Sequence, residues 1–194
     1  MTDPLDALPA LTDHPALLAL DPVPALERPD LLADPVTAAL RGWADAGRAL
    51  VVGIDPDLAD TAALNAALGL PDAAGANCVV VAGRRAGEER VAACVVRADT
   101  RADVNGAVKR LLDVRKCSFL AHERAVAESG MEHGGITPLG LPSGWPVLVD
   151  AAVAQAPLVV LGSGLRRSKV LLPGDLVRTL PGAQEVEALA RPVG

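Results

Sequence analysis

The residues best suited to chemistry lie in a loop rich in glycine and proline, residues 134–142. Its sequence is Gly134-Gly135-Ile136-Thr137-Pro138-Leu139-Gly140-Leu141-Pro142. The adjacent glycines permit positive φ angles and a close approach of ligand to backbone, and the two prolines stiffen the chain that follows. Such a loop can present backbone N–H groups to a carbonyl or carboxylate with little reorganisation. An ordinary connecting loop is the alternative that the loop alone leaves open.

A second glycine turn precedes a group of cations. Gly162-Ser163-Gly164 leads to Arg166-Arg167-Ser168-Lys169, which lacks the spacing of a P-loop but could still meet a nucleic-acid phosphate. The net charge of −6 argues against RNA binding by the whole surface, yet residues 84–116 carry nine basic and five acidic residues. Residues 1–60 carry three basic and eleven acidic residues. An RNA could use both basic segments if the fold joins them, and a solvated, salt-bridged surface is the alternative.

The histidines and cysteines are weaker candidates for a functional site than the two glycine-containing segments. His122 and His133 lie near glutamates but not in a His-Glu-x-x-His pattern, so we expect neither a metal nor a cofactor there. Cys78, Cys94 and Cys117 are widely spaced, which is typical of small buried side chains rather than of a disulfide or zinc site. A metal hydrolase, or a thiol nucleophile at Cys117 with His122 as its base, remains the weaker alternative.

The elements that position these residues must pack through Ala, Val and Leu. Hydrophobic residues make up 51% of the 194 residues, but aromatic residues only 2%, with no Tyr and a single Phe. This length suits one domain with an ample core. No run reaches the roughly 18 to 20 apolar residues that span a bilayer, and the acidic N-terminus lacks the basic start of a signal peptide. We therefore expect a cytoplasmic protein without a membrane partner.

Strand and helix patterns mix without regular alternation. We divide the chain into a Pro-rich N-terminal arm, residues 1–35, whose leucines pack on the body, and a domain, residues 36–194. Predicted strands lie at 49–54, 77–82, 90–96, 117–119, 147–150, 158–161 and 169–172. Predicted helices lie at 36–46, 60–68, 103–112, 123–129 and 151–154, and a last one begins near 173. The mixture predicts an α+β fold: a mixed, largely antiparallel sheet of about seven strands with flanking helices.

Four landmarks in this order resemble the YbaK/prolyl-tRNA-editing family. The first is the 134–140 loop, which is similar to the family's G-x-x-P-x-G loop. The second is similar to the family's PV(F/L)(I/V)D strand and is Pro146-Val147-Leu148-Val149-Asp150. The last two are similar to the family's C-terminal motifs and are Val160-Leu161-Gly162-Ser163-Gly164 and Leu171-Leu172-Pro173-Gly174-Asp175-Leu176. The predicted hairpin and the helix after it precede them in the matching order. The resemblance covers about residues 55–190 and implies the YbaK-like fold of prolyl-tRNA-synthetase-associated domains.

Members of that family hydrolyse the ester of wrongly charged aminoacyl-tRNA. The resemblance implies a trans-acting deacylase that removes a small amino acid from tRNA, with a synthetase and a second copy of the chain as further candidate partners. It implies that backbone donors and a tRNA ribose hydroxyl position the attacking water. The implied catalytic residues are Asn77, Gly135 and Asp150. The implied substrate-binding residues are Gly134, Ile136, Thr137, Pro138, Gly140, Ser163 and Gly164. The candidate tRNA-binding residues are Arg84, Arg85, Lys116, Arg166, Arg167 and Lys169.

One position departs from the family pattern. The family has a lysine near the start of the first hairpin strand, and here Ala76-Asn77-Cys78-Val79-Val80 puts Asn77 in that place. Asparagine can donate a hydrogen bond but supplies no charge. The chain could therefore act on a different substrate, recruit another cation such as Lys116 or Lys169, or bind without hydrolysis. The alternative function is a non-catalytic protein that binds aminoacyl-tRNA or a nucleotide.

Overall fold

The computed structural model describes residues 4–193, which form short helices around three β-sheets. The strands are β1 (Val23–Pro24), β2 (Leu50–Gly53), β3 (Ala76–Arg85), β4 (Glu88–Arg97), β5 (Thr100–Ala102), β6 (Lys116–Phe119), β7 (Val147–Asp150), β8 (Val159–Gly162), β9 (Ser168–Leu172), β10 (Ala183–Val186) and β11 (Ala190–Pro192). The α-helices are α1 (Pro4–Ala7), α2 (Pro15–Leu18), α3 (Asp34–Gly42), α4 (Thr61–Leu68), α5 (Lys109–Leu111), α6 (His122–Ser129), α7 (Ala151–Ala154) and α8 (Gly174–Val177).

The five-stranded sheet has the order β10-β7-β4-β3-β6. The long hairpin β3–β4 is its centre, and a two-residue turn closes it with positive φ at Ala86 (51°) and Gly87 (88°). Such turns match the right-handed twist of the strands. β7 and β10 add in parallel to β4, whereas β6 pairs antiparallel with β3 and forms the sheet edge. This sheet holds Asn77 and leaves β6 open on one side.

The four-stranded sheet has the order β1-β2-β9-β8 and is antiparallel throughout. Its strands β8 and β9 are fully buried, with Val, Leu and Gly at most positions. A parallel bridge between Gly75 and Val160 connects the start of β3 with β8. This junction brings Lys169, on β9, to the same side of the molecule as Asn77. The third sheet pairs β11 with β5.

Sequence signals at the ends of two helices are confirmed. The Asp60 carboxylate accepts a hydrogen bond from the Ala63 N–H and caps α4, and Gly69 ends that helix with a left-handed φ of 63°. Gly130 ends α6 in the same way, with a φ of 69°. The α4 cap matters most, because it fixes Asp60 and Thr61 beside the start of β3.

Residues 4–35 pack against the rest of the chain. Leu8, Leu11 and Leu17 are completely or almost completely buried, in a cluster with Leu50 and Leu171. β1 pairs with β2, so this segment extends the four-stranded sheet. Burial of several leucines at roughly 25 cal/mol per Å² of apolar surface gives the segment a large share in stability.

The α+β class with mostly antiparallel strands is confirmed, with differences in detail. The seven predicted strands are present, but the described residues add four short ones, β1, β5, β10 and β11, and divide the strands into three sheets. The predicted helix at 103–112 begins as a π-helical turn, Val104–Val108, before α5, because the Asp103 carboxylate accepts a hydrogen bond from the Ala107 N–H. Among the described residues, none of the helices is long and apolar enough to span a membrane.

Candidate functional site

A cleft of about 440 Å³ opens where the start of β3 faces the ends of β8 and β9. Five segments build its walls: the loop before α4 with the start of that helix, β3, the chain from the end of β6 into α6, residues 133–136, and the chain from the end of β8 to the start of β9. The lining residues are Asp57, Ala59, Asp60, Thr61, Ala76, Asn77, Cys78, Val79, Val80, Phe119, Leu120, His122, Ala125, His133, Gly134, Ile136, Gly162, Arg166 and Lys169. The cleft therefore joins a polar end, with both charge signs, to an apolar wall.

Asn77 lies in this cleft with its side-chain amide held in place. The Thr61 hydroxyl donates a 2.7 Å hydrogen bond to Asn77 Oδ1. Thr61 is the first residue of α4 and is itself buried, so the helix cap orients the amide. Because Oδ1 is occupied, Asn77 has its Nδ2–H₂ group available as a donor to a ligand in the cleft.

Lys169 supplies a cation to the same cleft from the other sheet. Its side chain is only 4% exposed, and Nζ donates a 2.6 Å hydrogen bond to the carbonyl of Ala59. Burial lowers the pKa of Lys169 to about 8, an effect that Asp60 opposes and Arg166 reinforces. Burial disfavours the charged form because a low-dielectric site solvates an ammonium poorly. Lys169 therefore brings an amine with a lowered pKa into the cleft that contains Asn77.

Two carboxylates line the same cleft. They belong to Asp57 and Asp60, and Asp60, which acts on the Lys169 ammonium, holds its position through the α4 cap. Arg166 also lines the cleft, and its guanidinium donates to the carbonyls of Pro56 (3.1 Å) and His133 (3.3 Å). The polar end of the cleft can thus receive both an oxyanion and an ammonium group.

Backbone hydrogen bonds tie the glycine loop to the turn after β8. Glu132 N–H donates to the Gly164 carbonyl, and Gly164 N–H donates to the Gly135 carbonyl, each at 2.8 Å. A Cβ on Gly162 would lie 2.3 Å from the Gly135 oxygen, and one on Gly135 would lie 2.8 Å from the Leu165 backbone. These glycines permit close packing of two backbone segments. Gly135 is not part of the cleft lining, so its contribution is to set the loop in position.

The other loop residues divide between three environments. Gly134 and Ile136 line the cleft, and within residues 4–193 their N–H groups donate to no acceptor. Thr137 is completely buried behind the loop, where its N–H contacts the Met131 sulfur. Pro138 and Gly140 line a separate groove that also contains both tryptophans. The structure brings only the first part of the predicted loop to the cleft.

Ser163, Gly164 and Asp150 are engaged elsewhere. Ser163 Oγ is buried in hydrogen bonds with Ser168 and the Leu165 backbone. Gly164 packs against α3 and the segment before it, where a Cβ would lie 2.4 Å from the Ala33 side chain. The Asp150 carboxylate accepts hydrogen bonds from Ala152 N–H and Ala190 N–H, both at 2.9 Å. The structure does not bring these three residues into the cleft, and their contacts hold neighbouring segments together.

The predicted tRNA-binding residues separate into two groups. Arg166 and Lys169 line the cleft, and Arg167 donates to the Asp30 carbonyl at 2.7 Å. Arg84 and Lys116 lie outside the cleft, opposite each other on β3 and β6. Arg85 pairs with Asp113. Arg166 and Arg167 are exposed but donate to backbone carbonyls, whereas Arg84 and Lys116 are exposed beside the open edge of the five-stranded sheet.

Sequence reasoning missed several cleft residues. Asp57, Thr61 and Phe119 carried no motif, although the Asp60–Thr61 cap signal placed Thr61 at a helix start next to a strand. His122 and His133 have ring centroids 4.4 Å apart at the cleft wall. The described residues contain no group of three or more His, Cys, Asp or Glu that could hold a metal ion. Burial raises the pKa of the Cys117 thiol, which disfavours a thiolate nucleophile.

Several solved structures of other proteins have a similar fold. A scaffold from work on computational epitope backbone grafting has a TM-score of 0.68 and 22% identity, covering 80% of this chain and 95% of the other. A protein described as a proposed trans-editing enzyme for prolyl-tRNA synthetase has a TM-score of 0.67 and 22% identity, covering 79% and 93%. The hypothetical protein APE2540 has a TM-score of 0.64 and 20% identity, covering 73% and 90%. At such identities the likeness shows the YbaK-like editing fold.

Residues 55–180 match the model of the aminoacyl-tRNA editing domain. That match spans more than half of the sequence, and the chain belongs to this family. No curated protein matches the chain. The cleft lies largely within the matched residues, so the resemblance found in the sequence motifs is confirmed.

Proposed function

We propose that this protein is a trans-acting deacylase that hydrolyses the ester of a small amino acid wrongly attached to tRNA, working on free aminoacyl-tRNA in the cytoplasm. One observation carries the proposal: Lys169 Nζ lies in the same cleft as the Asn77 amide. Lys169 on β9 then supplies the positive charge that the family pattern places on a lysine of the first hairpin strand, here β3. Family membership and the cleft's mixture of donors, charges and apolar surface support the same activity.

The apolar wall suits the amino-acid side chain. Val80, Leu120 and Ala125 form a buried cluster against which Ile136 packs. These side chains are of small to medium size and their positions are fixed by β3, α6 and the glycine loop. A small aliphatic group would bury apolar area there, at roughly 25 cal/mol per Å².

The polar end suits the reacting ester. Asp57 or Asp60 would pair with the α-ammonium, while Asn77 Nδ2 and the N–H groups of Gly134 and Ile136 would donate to the ester carbonyl. Water adds to the carbonyl carbon and negative charge develops on its oxygen. The C–O ester bond then breaks, which releases the amino acid and the tRNA hydroxyl. Lys169 stabilises that negative charge without moving, and such preorganised donors contribute several kcal/mol in known hydrolases.

The deciding assay is loss of the ester from a panel of mischarged tRNAs, with the spontaneous rate subtracted. We expect hydrolysis of a small amino acid by the wild type and a fall of about 100-fold or more in Lys169→Met, which keeps an unbranched chain of similar shape but removes the ammonium group. Arg41→Ala, an exposed cation on α3, is the control and should leave the rate unchanged. In Asn77→Lys/Lys169→Met the lysine returns to the family position, and part of the rate should return with it.

The competing function is a binding protein that retains the cleft without hydrolysis, favoured by the asparagine at position 77. It predicts tRNA binding with no ester loss from any member of the panel. That result would overturn the deacylase proposal. Wild-type rates in Lys169→Met would instead refute the part assigned to Lys169.

A further inference from the structure

The chain's only phenylalanine is largely exposed. Phe119 ends β6 with 63% of its surface accessible, although aromatic residues make up 2% of the sequence and both tryptophans are mostly buried. An exposed benzyl side chain contributes little to folding, since it buries little apolar area. Its position at the cleft opening therefore points to contact with a ligand.

Two further aromatic rings stand at the same opening. The imidazoles of His122 and His133 lie 4.4 Å apart at 36° and line the cleft together with Phe119. We call these three side chains the aromatic rim. Nucleobases stack on such flat rings whatever their sequence, because every base has a π-face.

A groove lined by cations begins where the aromatic rim ends. Phe119 and Leu120 line both the cleft and this groove of about 630 Å³. The groove has one carboxylate, Glu89, and four cations, and we call it the basic groove. The cations are Arg84, Lys109, Arg115 and Lys116.

The charges of the basic groove are mostly uncompensated. Within residues 4–193, no carboxylate lies within ion-pair distance of Lys109, Arg115 or Lys116, and Glu89 is 3.7 Å from Arg84. The sheet register sets Arg84 directly opposite Lys116 across the β3–β6 pair. A row of exposed cations beside a stacking surface matches a single-stranded nucleic acid, whose bases and phosphates need the two surfaces side by side.

We propose that the single-stranded 3′ end of an RNA crosses the aromatic rim, with its terminal base stacked on Phe119 and the preceding phosphates in the basic groove. The inference rests on the proposed function, since it places the RNA end that carries the ester at the cleft. It also assigns the strand to the 84–116 segment and not to Arg166, Arg167 and Lys169, each of which already donates to at least one backbone carbonyl.

The test measures fluorescence anisotropy with labelled, unacylated tRNA, either intact or lacking its last three 3′ nucleotides. Phe119→Ala should weaken binding of intact tRNA about 10-fold and leave binding of the trimmed tRNA unchanged. Phe119→Trp should bind as the wild type does. Leu111→Ala removes a comparably exposed apolar side chain on α5, and it should change neither affinity.

The salt dependence tests the groove. Replacing Arg115 and Lys116 by alanine should lower the slope of log affinity against log salt by about 0.7 for each phosphate that the protein no longer neutralises, whereas Arg41→Ala should leave it unchanged.

An unchanged affinity in Phe119→Ala, or an equal loss with both tRNAs, would overturn the stacking assignment. Displacement of the tRNA by polyglutamate at equal charge concentration would assign the groove to an acidic protein instead. Unacylated tRNA carries no ester, so these results do not depend on whether hydrolysis occurs.

Discussion

The molecule has two arginine- and lysine-rich segments that look alike in sequence and differ in structure. In the basic groove, cations from β3, α5 and the start of β6 lie beside the open edge of the five-stranded sheet and have few internal partners. In residues 166–169, each cation donates to a backbone carbonyl: Arg166 to Pro56 and His133, Arg167 to Asp30, and Lys169 to Ala59. We call this second segment the basic clamp, because its residues bind three separate parts of the chain: Asp30, residues 56–59 and His133.

The difference shows that charge density alone does not identify a nucleic-acid surface. A cation that donates to a carbonyl stabilises the fold and has fewer donors left for phosphate, whereas a solvated one is free to exchange its counterions for phosphates. The basic clamp forms and orders the cleft wall, and the basic groove remains free to bind. Mutations in the clamp should therefore change stability first, and mutations in the groove should change binding first.

The largest effect on stability is expected at Gly162, the last residue of β8, where this strand meets the glycine loop. Gly162→Ala puts a Cβ about 2.3 Å from the Gly135 oxygen, and a fully buried backbone cannot move aside easily. We expect the free energy of unfolding to fall by about 3 kcal/mol. Gly53→Ala on β2, where a Cβ meets nothing within 4 Å, is the matched control. Urea denaturation measures both, and equal losses in the two variants would contradict the close approach.

A smaller effect on the free energy of unfolding distinguishes the basic clamp from the basic groove. Arg166→Ala loses two hydrogen bonds to carbonyls and should lower the free energy of unfolding by about 1 kcal/mol. Lys116→Ala, in the basic groove, should change it by less than about 0.5 kcal/mol. Both variants remove one positive charge, so thermal unfolding at matched pH compares position alone. Similar losses would mean that the two segments do not differ as described.

The longer helices and strands, and the family, could be predicted from the sequence. Asp60, Gly69 and Gly130 signal helix ends by local chemistry, and β3 and β4 carry long β-branched runs, so these elements were predictable. Strands such as β10 and β11 were not, because three or four mostly exposed residues form strands only through pairing with a neighbour.

The candidate site was predictable only in part. Asn77, Gly134 and Ile136, which the family motifs grouped together, line one cleft. The resemblance also implied Asp150 and Ser163, yet their side chains cap and connect neighbouring backbone. Lys169 was one of two alternative cations, and its place in the cleft follows from the packing of β9 against the loop before α4. Contacts between two sheets depend on tertiary packing, which leaves no local signal.

The last prediction concerns Lys169, the buried cation of the basic clamp, and the pH dependence of stability that it produces. The pKa of Lys169 is about 8 in the folded protein and about 10.5 when unfolded, so between these values the unfolded state binds more protons. Stability contributed by this group therefore rises with pH through that window. Relative to Lys169→Met, the wild type should gain about 1 kcal/mol between pH 7 and 9. Urea denaturation of both proteins across this range measures the difference, and a flat or falling difference would show that the Lys169 ammonium does not lie in a poorly solvating site.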